Sequence, residues 1–179
     1  VHGVQCASAP ARSCAEVRRL APCEAMVELE LTRTAQDRRL YAIEGVGTLR
    51  LEGLWSRRAT AEAGSDAWLL DGGGLFSRAV RATDAFGIVV GEFRPAHLRR
   101  GGRLTWRGRE LALRPASRWR ERYALADGDA ELALLDAKGR GRRPVKIGVE
   151  DLAAFDPGLL LMAAFVARGL AEQAASSAA

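Results

Sequence analysis

The sequence predicts a mainly β domain, a closed antiparallel β-barrel wrapped around a hydrophobic C-terminal α-helix. Three observations carry this expectation. Short strand-like stretches alternate with Gly-containing turns along the middle of the chain. The last segment is apolar on every side. The patterned region contains no cysteine, so its stability must come from burial.

The strands read in order. Regular patterning begins at Met26-Val27-Glu28-Leu29, and Leu49-Arg50-Leu51-Glu52 alternates before Gly53. Ala67-Trp68-Leu69-Leu70 runs into Asp71-Gly72-Gly73-Gly74, a turn. Phe76 to Thr83 leads through Asp84-Ala85-Phe86-Gly87 into Ile88 to Phe93. Arg103 to Trp106 turns at Arg107-Gly108 into Glu110 to Leu113, and Tyr123 to Leu125 turns at Asp127-Gly128 into Glu131 to Leu135. These last three hairpins recur at roughly twenty residues, the rhythm of an antiparallel meander.

The final segment changes period. Asp156-Pro157 is a helix start, with Asp as N-cap and Pro in the first turn. From Gly158 to Ala167 no position is polar, whereas a surface helix shows one polar face. That run is shorter than the roughly 20 apolar residues that cross a bilayer, which leaves burial inside protein. The core helix is therefore expected over about 156–171, with 174–179 as a frayed tail. A sheet that must close and a helix that must be covered on all sides make a barrel around a helix. The domain is expected over 26–173, and residues 1–25 as a disordered or spurious N-terminal extension with Met26 as the working start.

Composition narrows the function without naming it. The chain has 179 residues, enough for one large core, and 48% are hydrophobic. Only 6% are aromatic, so Leu, Val and Ala must fill that core. All three cysteines, Cys6, Cys14 and Cys23, precede the domain without a C-x-x-C spacing, which argues against zinc and suits a reducing, cytoplasmic compartment. Charged residues interrupt every apolar run in the first 25 residues, so there is no signal peptide pattern. Catalytic signatures are missing as well. The only histidines are His2 and His97, no nucleophile or ligand set accompanies them, and neither G-x-S-x-G nor H-E-x-x-H occurs. Gly45-Val46-Gly47 and Gly72-Gly73-Gly74 lack the remaining residues of a nucleotide-binding loop and read as turns. The expectation is a non-enzymatic protein with no cofactor and no metal.

The pairing of Trp- or Tyr-bearing strands with Asp-Gly turns (Trp68…Asp71-Gly72 and Tyr123…Asp127-Gly128), followed by the Asp156-Pro157 helix, resembles the tubby-like barrel superfamily. Within it the chain looks most like the branch of LURP-one-related and phospholipid-scramblase-like proteins. The resemblance spans roughly Leu40 to Glu172 and implies a twelve-stranded barrel enclosing its C-terminal helix. The Cys-rich segment and calcium-site pattern of scramblases have no counterpart in this domain, so the resemblance does not extend to scramblase activity.

The net charge of +5 and pI near 9.7 favour an anionic partner, although an Arg-rich, Ala-rich composition is also what a GC-rich genome produces. Between Arg94 and Lys146 basic residues outnumber acidic ones by more than two to one. Most of them fall in three groups: Arg94, Arg99, Arg100 and Arg103; Arg118, Arg120 and Arg122 around Trp119; and Lys138, Arg140, Arg142, Arg143 and Lys146. If the hairpin loops lie at one barrel end, these groups form one patch suited to phosphate, which guanidinium binds in bidentate fashion. The resemblance points the same way, since tubby domains bind phosphoinositide headgroups through basic residues. An anionic phospholipid or membrane surface is thus the expected partner. Nucleic acid is the alternative, because Lys138 to Pro144 nearly matches an AT-hook core, interrupted by Arg143. A structural or protein-interaction module is the third reading.

Overall fold

A computed structural model describes residues 26–52, 58–72, 79–96, 101–117, 121–137 and 144–177. Twelve strands precede one helix: β1 (Val27–Arg33), β2 (Leu40–Ile43), β3 (Gly47–Leu51), β4 (Arg58–Ala63), β5 (Asp66–Asp71), β6 (Val80–Asp84), β7 (Val89–Pro95), β8 (Gly102–Trp106), β9 (Arg109–Pro115), β10 (Arg122–Asp127), β11 (Ala130–Asp136), β12 (Val145–Val149) and α1 (Pro157–Ser177). Each strand pairs antiparallel with the next, and β1 closes the ring on β12, Leu29 lying opposite Ile147. Closure leaves no unpaired edge, so the barrel offers no strand for another chain to extend.

Alternation decides which side chains face inward. Along β9 the buried residues are Leu111 and Leu113, while Glu110 and Arg114 are exposed. The same rule puts Leu31, Ile43, Leu49, Leu70, Phe93, Leu104, Leu125, Leu135 and Ile147 inside, each at most 2% exposed. Charged residues occupy outward positions on most strands, the inverse of a lipid-facing barrel wall.

α1 fills the interior. Leu159 to Ala164 are at most 3% exposed, as are Val166 and Ala167. Inward residue size follows the helix position: β4 contributes only Ala59, Ala61 and Ala63 where α1 packs against it, while β5 and β8 contribute Trp68 and Trp106. Those indoles meet edge to face, centroids 5.8 Å apart, beside Gly158 in the first turn of the helix. Barrels of this size need a filling, and here the helix supplies it.

The helix start matches the sequence reading. Asp156 Oδ1 accepts hydrogen bonds from the Gly158 N–H at 2.9 Å and the Leu159 N–H at 3.3 Å, and Pro157 is the first helical residue. Asp156→Ala should lower stability by about 1 kcal/mol, measured by denaturant unfolding. The helix end corrects the reading. Residues 174–177, expected as part of a frayed tail, are helical, because the Ala-rich stretch continues the helix beyond its apolar run. The length argument against a bilayer crossing fails for the same reason, since Pro157–Ala175 is long and apolar enough to span one. The enclosure of its first three turns by the strands is what identifies α1 as a core helix. At 21 residues it is about 31 Å long. Strands of five to seven residues reach only about 17–23 Å, so the helix outruns the wall. Among the helix side chains described, Ala171 is the last that is fully buried.

Candidate functional site

The meander gives the barrel two unlike ends. Connections from even to odd strands are short turns, and five of them carry a glycine with positive φ: Gly45, Gly64, Gly87, Gly108 and Gly128. Such backbone suits tight hairpins, since its twist matches that of the strands. These turns, with segment 150–156 that leads into α1, hold one basic and five acidic residues. Connections from odd to even strands all join at the opposite end, where α1 finishes. They hold twelve Arg and Lys against three Asp and Glu. The end reached by the odd-to-even connections is called the basic end, and the other the acidic end, after this sequence tally; of its twelve cations only Arg38 and Arg39 are described residues.

In sequence the three Arg-rich groups all fall at odd-to-even connections. They lie on or beside the connections β7–β8, β9–β10 and β11–β12, whose flanking strands are neighbours in one half of the ring. Arg99, Arg100, Arg118, Arg120, Lys138, Arg140, Arg142 and Arg143 lie outside the described residues, as do His2, His97 and the three cysteines. The four described members stand at strand ends on this rim, each with a carboxylate. Arg94 Nη2 is 2.8 Å from Glu92, Arg103 Nη1 is 3.8 Å from Glu110, Arg122 Nη2 is 3.3 Å from Asp136, and Lys146 Nζ is 3.3 Å from Glu30.

The Arg122 and Lys146 pairs, and the Glu92 that Arg94 contacts, are parts of two ladders on the outer wall. Arg122, Asp136, Lys146 and Glu30 are successive register partners on β10, β11, β12 and β1, alternating in sign. Arg58, Asp71, Arg81 and Glu92 do the same on β4 to β7. Hydrogen bonds from Arg94 and Arg81 hold the Glu92 carboxyl below its ordinary range against the opposing effect of burial. Opposite charges directly across strands are favourable, though each exposed pair contributes at most about 1 kcal/mol. Of the fourteen Arg and Lys among the described residues, ten lie within 4.0 Å of an Asp or Glu. Arg114 is committed differently: opposite Ala124 in register, it reaches along β10 to donate to the Gly128 carbonyl at 3.0 Å. Its stem thereby covers the outward-facing Ala124 and Ala126, which are only 7% and 5% exposed.

The mouth at the basic end carries one further contact. The Arg168 guanidinium of α1 lies over the Tyr41 ring of β2, 4.2 Å from its centroid, and its Nε donates to Glu172 at 2.8 Å. Burial works to lower the Arg168 pKa, but the bonds to Glu172 and Tyr41 outweigh it and keep the charge secure. The acidic end has an exposed apolar tip instead, with Phe86 88%, Ile88 61% and Val89 55% exposed. Asp84 Oδ1 shapes that turn by accepting from the Phe86 and Ile88 N–H groups, 2.9 Å each. Among the described residues no cluster of His, Cys, Asp or Glu is placed to hold a metal ion.

The sequence also holds a repeated motif. Gly53-Leu54-Trp55-Ser56-Arg57 and Gly74-Leu75-Phe76-Ser77-Arg78 are nearly identical, and both belong to odd-to-even connections, β3–β4 and β5–β6. Both segments lie outside the described residues, and the match is visible only when the sequence is compared with itself. Comparison of the chain with protein-family models, with curated proteins and with solved structures finds no match.

Proposed function

We propose that this protein is a non-enzymatic, cytoplasmic, tubby-like barrel that binds an anionic phospholipid surface with its basic end. One observation supports the reading. The three Arg-rich groups all fall at odd-to-even connections, and by sequence the six connections of that kind hold a fourfold excess of basic over acidic residues. Each basic group near an anionic leaflet is worth about 1 kcal/mol, so several on one rim suffice for reversible docking. Leu54-Trp55, Leu75-Phe76 and Trp119 on the same set of connections add the residue types that favour the membrane interface. A twelve-stranded barrel with its C-terminal helix inside is also what the family resemblance implies. Nucleic acid is less well supported. The segment resembling an AT-hook is tethered at both ends by β11 and β12, and Lys146 is already paired with Glu30.

Co-sedimentation with vesicles tests the proposal. The protein should bind phosphatidylcholine vesicles containing phosphatidylserine and ignore pure phosphatidylcholine. Replacing Arg140, Arg142 and Arg143 together by Ala should weaken binding about a hundredfold, from three charges at roughly 1 kcal/mol each. Failure to bind anionic vesicles, coupled with salt-sensitive retention on duplex DNA, would transfer the basic rim to nucleic acid.

A further inference from the structure

An uncharged row crosses part of the outer wall. Thr60, Leu69, Thr83 and Val89 are successive register partners on β4, β5, β6 and β7, and Leu69 and Val89 are 38% and 55% exposed. The row lies beside the ladder of Arg58, Asp71, Arg81 and Glu92, on its acidic-end side, and runs into the exposed tip of Phe86 and Ile88. Leu69, Val89, Phe86 and Ile88 together present on the order of 400 Å² of apolar surface, the scale at which a patch marks an interaction site.

The tip is fixed before any contact is made. The Gly87 N–H, at φ 80°, donates to the Asp84 carbonyl at 3.1 Å, and the Asp84 N–H donates to the Ile88 carbonyl at 2.9 Å. With the two bonds that Asp84 Oδ1 accepts, four hydrogen bonds hold the turn from which Phe86 and Ile88 project. A preset apolar projection loses little further freedom when it is covered.

The charges beside the row say what covers it. On β4, Arg58 and Glu62 stand two residues to either side of Thr60, Arg58 toward the basic end and Glu62 toward the acidic end. Exposed Arg81 lies on the Arg58 side and exposed Asp66 on the Glu62 side. A twofold axis lying along the row, between two facing walls, sets the Arg58 side of one copy over the Glu62 side of the other, twice over. From this we infer that the β4–β7 wall is a self-association surface, on which a second copy packs antiparallel with Leu69, Thr83 and Val89 against their own counterparts. Arg58 keeps its bond to Asp71 and stays exposed, so it also faces Glu62 of the second copy. A parallel pair would oppose Glu62 to Glu62, and an anionic leaflet would meet Glu62 and Asp66. The apolar area is about half of the roughly 800 Å² per partner in a standard interface, so the expected Kd is on the order of 10–100 μM. Self-association is independent of the proposed function, because its residues lie in strands and the β6–β7 turn rather than on the odd-to-even connections.

Sedimentation equilibrium of the full chain tests this surface. The mass should rise from one chain toward two as concentration passes through that range. Phe86→Ser, Ile88→Ser and Val89→Ser combined should weaken association about tenfold or more, with the melting temperature unchanged because all three side chains are exposed. Charge reversal reads the orientation. Arg58→Glu alone and Glu62→Arg alone should each weaken association, since each sets like charges across the axis twice. An equimolar mixture of the two variants should associate as wild type does, and so should a chain carrying both changes. Recovery in the mixture also separates the effect from the lost Asp71 bond. Mixing without recovery overturns the antiparallel arrangement. Wild type that stays monomeric up to about 1 mM overturns the inference, as does a dimer that the triple change leaves intact. Wild type that is monomeric throughout, yet binds pure phosphatidylcholine vesicles and loses them with the triple change, would give the tip to a membrane instead.

Discussion

Leu161→Asp should abolish cooperative folding. Leu161 is 0% exposed and lies within the first two turns of α1, enclosed by the strands. A carboxyl group placed there finds no designed partner, and it either stays charged at high cost or takes up a proton and still lacks a hydrogen bond. With the lost leucine packing added, the change exceeds about 5 kcal/mol, comparable to the whole stability of a domain. Circular dichroism melting should show no native transition near neutral pH. The sign of the pH dependence is fixed too. The introduced carboxyl has a raised pKa in the folded state, so the folded state takes up the extra proton, and the loss shrinks as pH falls toward about 4. Phe165→Asp should cost clearly less, because Phe165 is only partly buried. A Leu161→Asp protein that melts like wild type would show that the strands do not enclose the helix.

Two glycines of α1 should respond to alanine in opposite directions. A Cβ on Gly158 would lie 2.6 Å from Trp106 Cζ2 and 2.8 Å from Trp68 Cζ2. Trp106 cannot retreat, because a Cβ on Gly91, against its other edge, would come within 2.6 Å of Cε3. Both indoles are at most 3% exposed, so relief requires moving the helix start or opening the Trp pair. Gly158→Ala should therefore cost about 3 kcal/mol, at the upper end for overpacking, and alter the near-ultraviolet dichroism of the indoles. Gly169 has nothing within 4 Å of its virtual Cβ. There alanine removes only the helix penalty of glycine, and Gly169→Ala should stabilise by roughly 0.5–1 kcal/mol. Denaturant midpoints of the two variants, moving to either side of wild type, would check the assignment. Equal shifts would contradict the packing of the helix start.

Those variants also mark how far the sequence could be read. Leu159 to Ala167 announced an enclosed helix because no position in that stretch could face water, and Asp156-Pro157 announced its start. The end was not legible, because Ala-rich sequence is equally compatible with a frayed tail, and only the continuing backbone decides it. Hairpins were legible where a glycine sits at a tight turn, as at Gly87, Gly108 and Gly128. β4 was not singled out, since Arg58-Ala59-Thr60-Ala61-Glu62-Ala63 alternates with nothing larger than alanine on its inner face. Its small residues make sense only once the helix is known to lie against them. The charge of the basic groups was visible as composition, but their commitments were not. Whether an arginine is paired depends on cross-strand register, which placed Asp136 beside Arg122 and Lys146 and left Arg33, Arg38 and Arg39 without an acid.

Under the proposed function, the difference in charge between the two sets of connections would have a kinetic consequence. A body with its positive charge at one end and an acidic surplus at the other experiences a torque, as well as an attraction, in the field of a negative surface. Within about a Debye length, near 8 Å at physiological ionic strength, that torque would turn the basic end of such a body inward before contact. Encounters would then arrive pre-aligned, raising the productive fraction of collisions in a way that added salt suppresses. The same rotation would point the exposed Phe86–Ile88 tip back toward the bulk.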